Sequence, residues 1–458
     1  MRRIALVALC LVTLFFLGIP TVMAEGPYPL VPTTSYPFIY NKSETTANVT
    51  IEFYDLDGNL VHAMGPITIP GKSTYFVNLY DIPELGDSFS GSMVVSADQE
   101  VMAICNLAGT DASGDSYSGI RGEEGETSVS IASVHCNNYG WWTEISVQAM
   151  DADATVTVTF TPAPAPIGKG TAYTTPPVTI KAGSSHRFST LDLQAELGGE
   201  FVGGATVTST TGKIAAAAVE WNTEGTSHMT LAFNGVTTGG TTLYFPAQHN
   251  NDWGWFSYNY IKNTTSDTAE IAYEWTDGPS GTATIEPYGV LPLFTGEIMG
   301  WTSDPYVGAL KVTSTNGKEL IGICNEVNTD GIHGLSYNAF YGGGTTVIFP
   351  SQHNNNYGWF SFNFLQNLDN TDATVQVTWT KTAGPGSVPA PFTTTIPANG
   401  KLELHTGTYL GWDQDVYGSL IVESLTGQRL VGICNEVNTD PAYAGADAAM
   451  SYNAFVVE

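Results

Sequence analysis

Four segments of the chain, residues 47–53, 154–160, 269–275 and 373–379, align without gaps and alternate apolar with polar side chains. On an extended strand Val49, Ile51 and Phe53 share one face, as do Ile271, Tyr273 and Trp275, and Val375, Val377 and Trp379. A period of two with one apolar face predicts antiparallel strands buried on one side. Further along, Val207, Val312 and Val422 lead into turns containing Gly212, Gly317 and Gly427, a strand–turn–strand signal for hairpins. The strand after the turn, residues 320–324 and 430–434, is apolar on both faces and should be central or covered. Only a weak helical period near Leu191 to Leu197 interrupts this pattern.

Two motifs recur with the strands. An opening motif, His-(Cys/Asn)-Asn-(Asn/Asp)-(Tyr/Trp)-Gly-Trp-(Trp/Phe), starts at His135, His249 and His353. A closing motif, Cys-Asn-Glu-Val-Asn-Thr-Asp, starts at Cys324 and Cys434 and continues to Ser-Tyr-Asn-Ala-Phe at residues 336–340 and 451–455. Weaker closing versions occupy residues 105–111 and 219–224. Equivalent positions are spaced by 434 − 324 = 110 and 353 − 249 = 104 residues, so the unit is a repeat of about a hundred residues. Glycine-rich connectors at 119–125, 235–240 and 342–344 set the boundaries. The expected fold is all-β: four tandem antiparallel β-sandwich repeats over residues 28–126, 127–239, 240–343 and 344–458. A barrel is the alternative. The opening motif is absent from the first repeat.

Residues 1–24 read as a secretory signal peptide: Arg2 and Arg3, an apolar run to Pro20, then small residues before cleavage near Ala24. The run is short for an uncleaved anchor, and no later segment is apolar enough for a spanning helix. The expectation is a secreted protein, extracellular, at the cell surface or in the periplasm. Charge sharpens the picture. With 44 Asp plus Glu against 15 Lys plus Arg, the net charge is −29. Such a surface repels nucleic-acid backbones and anionic lipid, and attracts divalent cations.

The candidate chemistry lies in the two motifs. Glu326, Asn328 and Asp330 point one way along a strand, as do Glu436, Asn438 and Asp440. Each trio is a candidate partial Ca²⁺ site. No dense loop of oxygen ligands surrounds them, which favours the other reading, that these side chains brace a turn. Trp253, Tyr357, His249 and His353, with their amide neighbours, form a candidate ligand-binding set of the kind a neutral sugar needs. Trp255 and Trp359, which lead into alternating strands, are expected in the core. Cys105 and Cys136 are a candidate disulfide across the first repeat junction; the alternative is buried free thiols. A cysteine–histidine nucleophile is disfavoured, because the cysteines sit in apolar strands and Ala218 replaces one of them. Each closing motif precedes the next opening motif, which suggests that the two meet between successive repeats. On that reading the last closing motif is left unmatched and free for assembly with other copies.

The repeat resembles the tandem repeats of uncharacterised secreted bacterial surface proteins. The resemblance rests on Gly254 with Trp255, Gly358 with Trp359, and the loops from Asn325 and Asn435 onward. It implies β-sandwiches and an extracellular surface role, and carries no catalytic residues. The expected function is a non-enzymatic structural or adhesive repeat protein, with other copies of itself or cell-surface glycans as partners. A carbohydrate-binding array is the alternative, and a secreted hydrolase a distant third. No cofactor is expected beyond Ca²⁺.

Overall fold

The computed structural model describes residues 4–8 and 33–457, except 87–88, 110–112, 166, 225–228, 302–304 and 444–445. The expected cleavage site near Ala24 lies outside the described residues. The chain forms two compact units, Met1–Thr237 and Thr238–Glu458. Both are built from antiparallel sheets in a β-sandwich-like arrangement. No helix among the described residues is long and apolar enough to cross a membrane.

One set of strand pairings recurs four times along the chain. An alternating strand (Ala47–Asp55, Ala154–Pro162, Ala269–Trp275, Ala373–Ala383) pairs with a cross strand (Gly91–Ala97, Phe201–Ser209, Tyr306–Ser314, Val416–Ser424). On its other edge the cross strand pairs with an opening strand, which is Ser128–Cys136, Thr242–Asp252 or Thr346–Asn356 in the last three cases. A return strand (Thr33–Asn41, Trp141–Ala149, Trp255–Asn263, Trp359–Asn367) pairs with a closing strand (Val101–Gly109, Ile214–Asn222, Leu320–Asn328, Leu430–Asn438). The closing strand pairs in turn with an edge strand (Gly114–Ser118, Thr230–Asn234, Gly334–Asn338, Ala449–Asn453).

The two strand groups pack face to face because each has an apolar side to bury. Val49, Ile51, Phe53, Met93 and Val95 from one group meet Ile39, Ala103 and Cys105 from the other in a single core. The expected inward positions are buried, with Tyr273 alone among them half-exposed. Closing strands are buried on both faces, as their apolar sequence requires. Residues 191–197 form turns rather than a helix; Gly198 and Gly199, both at positive φ, end the segment.

Within each unit, side chains join two edge strands where no backbone ladder forms. Asn234 Oδ1 accepts from the Ser118 N–H at 3.0 Å while its Nδ2 donates to the Ser118 carbonyl at 2.7 Å. Asn453 makes the same pair with Asn338, at 2.9 and 2.6 Å. An asparagine amide presents one donor and one acceptor as a peptide unit does, so it closes a strand edge that would otherwise invite aggregation.

Candidate functional site

The opening and return strands are joined by a tight turn in which three residues adopt left-handed backbone. These are Asn137, Tyr139 and Gly140; Asn251, Trp253 and Gly254; and Asn355, Tyr357 and Gly358. Glycine and asparagine enter this region readily, but a tyrosine or tryptophan there costs about 1–2 kcal/mol. The three aromatic rings also point outward, at 74 % exposure for Tyr139, 91 % for Trp253 and 86 % for Tyr357. Lys169 Nζ sits 4.8 Å above the Tyr139 ring.

The closing motif holds this turn. Asn222, Asn328 and Asn438 donate from Nδ2 to the carbonyls of Tyr139, Trp253 and Tyr357, at 2.9, 3.0 and 3.2 Å. Their Oδ1 atoms accept from the N–H two residues on, that of Glu224, Asp330 or Asp440. The N–H groups of Thr223, Thr329 and Thr439 donate to the carbonyls of Gly140, Gly254 and Gly358. Opening and closing motifs therefore meet within one repeat, through the register that sets Trp255 against Asn328 and Trp359 against Asn438. This corrects the expectation that they meet between successive repeats. The return strand Trp359–Asn367 hydrogen-bonds directly to the closing strand Leu430–Asn438, so the last closing motif is already matched, and that ground for end-to-end assembly falls away.

Behind each turn lies a histidine–glutamate pair, buried in the first two cases and nearly so in the third. His135 Nε2 is 3.9 Å from Glu220, His249 Nε2 is 3.7 Å from Glu326, and His353 Nε2 is 3.8 Å from Glu436. Thr190, Thr295 and Thr406 fix each histidine's backbone by donating from Oγ1 to its carbonyl, at 2.8, 2.7 and 2.7 Å. Equivalent histidines differ in charge preference. Burial lowers the pKa of His135, and Glu220 only partly offsets it. Burial also opposes charge on His249, but Glu326 and Asp252 outweigh it and raise its pKa. Two carboxylates separate them: Asp252 Oδ2 lies 3.5 Å from His249 Nδ1, where the neutral Asn138 stands beside His135, and Glu403 adds a smaller push in the same direction. Burial raises the Glu326 carboxyl, which also accepts from Asn435 Nδ2 at 2.8 Å.

The predicted site residues thus divide by burial. Trp253 and Tyr357 are outside, while His249 is buried and His353 nearly so. In the candidate Ca²⁺ trio, Glu326 is buried against His249, Asn328 clamps the turn, and Asp330 accepts from the Ile332 and His333 N–H groups and pairs with His333 Nδ1 at 2.6 Å. In the second trio, Glu436 faces His353, Asn438 clamps Tyr357 and Asp440 accepts from Ala442 N–H. No group of three His, Cys, Asp or Glu side chains with metal-binding geometry occurs among the described residues. The Cys105–Cys136 bridge is not formed. Cys105 lies in the core of the first repeat, and the Cys136 thiol donates to the Thr190 carbonyl at 3.3 Å. Burial pushes the Cys136 thiol up to about 12 and raises Cys324 and Cys434 as well. Trp255 and Trp359 are half-buried rather than core residues.

Sequence reasoning missed three sets of residues. Trp301, 61 % exposed, packs at a tilt of 47° against Phe256 beside the Trp253 turn with ring centroids 4.8 Å apart, and Trp412 does the same against Phe360 at 49° and 5.1 Å. The threonines at 190, 295 and 406 carried no local signal, because the histidines they hold are more than 45 residues away. Asn41, Asn263 and Asn367 end their return strands with each Nδ2 donating to three backbone carbonyls. Two of these stand in Asn-x-Ser/Thr sequons, but their amides are buried in that role. No family model matches the chain, and no curated protein is similar to it.

Proposed function

We propose that this chain is a non-enzymatic, exported adhesive protein of four tandem β-sandwich repeats, which makes contact through the aromatic turns of repeats two, three and four. One observation carries the reading. Three equivalent turns hold a bulky aromatic in strained backbone and point it at solvent, and each is clamped by an asparagine of the closing motif. Strain kept at an exposed position serves no packing purpose, and strained residues of this kind cluster at ligand-contact sites. Groups that would serve catalysis are turned inward: His135, His249 and the four thiols are buried, and His353 nearly so.

The ligand class favoured by these turns is an uncharged, polyhydroxylated surface such as a neutral glycan. Aromatic faces stack on sugar rings, the neighbouring amides supply hydrogen bonds, and the −29 charge disfavours anionic polymers. A glycan array probed with the exported chain tests this. Binding to neutral glycans that survives high salt supports the reading. Binding only to charged glycans, lost with salt, would sink it.

A further inference from the structure

The first repeat differs from the others in where its opening strand comes from. In repeats two to four the opening strand lies between the cross strand and a segment just after the edge strand; the latter contacts are Ser130 with Val236, Tyr244 with Phe340, and Thr346 with Val457. In the first repeat the same slot, between Gly91–Ala97 and Ile120–Arg121, is filled by Ile4–Ala8. The register is antiparallel, from Ile4 opposite Ala97 to Ala8 opposite Met93. The repeat also lacks the partners of an opening motif. Leu107 stands where the buried glutamate is elsewhere, and Gly109 where the clamping asparagine is.

Ile4–Ala8 lies inside the segment read as a signal peptide. The chain downstream is poorly suited to replace it. Opening strands begin 13 residues before their return strands: 141 − 128, 255 − 242 and 359 − 346. The same offset from Thr33 falls at residue 20, so the required strand would straddle the cleavage site near Ala24. The stretch after Glu25 contains Pro27, Pro29 and Pro32, and proline removes the N–H a ladder needs. The slot is deep. Its counterpart strand Ser128–Cys136 is buried at every position but the first, so an empty slot exposes core.

We infer that the exported chain carries an open strand slot beside Gly91–Ala97, which accepts an extended, apolar, proline-free strand of a different polypeptide by antiparallel strand addition. This rests on the export reading of residues 1–24. The donor is a different polypeptide because, among the described residues, each opening strand of repeats two to four already fills its own slot. The occupant's chemistry is given by Ile4–Ala8, a run of small and branched apolar residues.

The test uses chain recovered from the secreted fraction, with its amino terminus read by intact mass, and a labelled synthetic peptide of residues 3–9. A chain beginning near Glu25 should bind the peptide saturably, and the melting transition of the first unit should rise while that of the second stays in place. The same peptide carrying Leu6→Pro should bind at least tenfold more weakly, and chain retaining residues 1–24 should not bind. Processed chain that ignores the peptide, or binds the proline peptide equally well, overturns the slot. Secreted chain that retains residues 1–24 overturns the processing step instead, and the two failures are told apart by the mass. A dimer of processed chain that the peptide dissociates would overturn the assignment to a different polypeptide.

Discussion

Replacing Asn263 by alanine should cost about 2–4 kcal/mol of stability, confined to the second unit. Its Nδ2 donates to the carbonyls of Asp267, Ile285 and Glu286 at 2.7, 3.2 and 3.1 Å. Its Oδ1 accepts from the Thr265 N–H at 2.9 Å and the Thr265 hydroxyl at 2.8 Å. Asn263 is fully buried. Alanine therefore strands several backbone groups at once, each worth about 1–3 kcal/mol if left without water. Water reaching the exposed side of the loop recovers part of this. For a unit of 458 − 238 + 1 = 221 residues, each kcal/mol moves the melting temperature by about 2–4 °C. The transition of the second unit in differential scanning calorimetry should thus fall by roughly 5–15 °C. Asn41→Ala should move the first unit's transition by a similar amount, because Asn41 makes the same bonds to Thr45, Ile69 and Pro70. Asn48→Ala is the control, since that amide is exposed and bonds only to Asp98, and it should stay within about 0.5 kcal/mol. An Asn263→Ala chain melting with wild type would refute the claim that these buried amides hold the loops together.

The buried groups give two further outcomes. The pKa of His135 is lowered in the fold, so its contribution is complete above about pH 6.5 and is lost as pH falls from there toward the lowered value. That of His249 is raised, so its contribution is complete below about pH 6.5 and is lost as pH rises through the raised value. Calorimetry across pH 5–8, comparing wild type with His135→Gln and His249→Gln, should give differences of opposite slope in the two units; equal slopes would contradict the role given to Asp252. The native thiols should resist iodoacetamide at pH 8, with Cys105, Cys136, Cys324 and Cys434 all alkylated once the chain is unfolded. Fast labelling of the native chain would place a thiol at the surface.

The strand content and the inward-facing positions were legible because a half-buried strand writes a period of two into its residues, as at Val49, Ile51 and Phe53. Two closely spaced repeated motifs were legible as motifs, yet their pairing was misjudged. Chain order placed Cys324 nearer to His353 than to His249, whereas the hairpin topology joins His249 and Glu326. Sheet register decides such contacts, and nothing local to either motif encodes it. The same holds for Thr295, whose partners His249 and Ser257 are reached only through strand pairing. The left-handed backbone at Trp253 was hidden for a different reason. A tryptophan gives no sign of positive φ, and the clamp that enforces it, Asn328, lies 75 residues away.

The adhesive reading is tested most directly by measuring surface binding and melting temperature together for Trp253→Gly, Tyr357→Gly and Tyr139→Gly, singly and combined. Glycine relieves the left-handed strain, and the highly exposed rings contribute little packing. The account predicts that stability stays within about 1 kcal/mol of wild type, or rises, while glycan binding falls at each step and is lost in the triple variant. Full binding by a stably folded triple variant would contradict it.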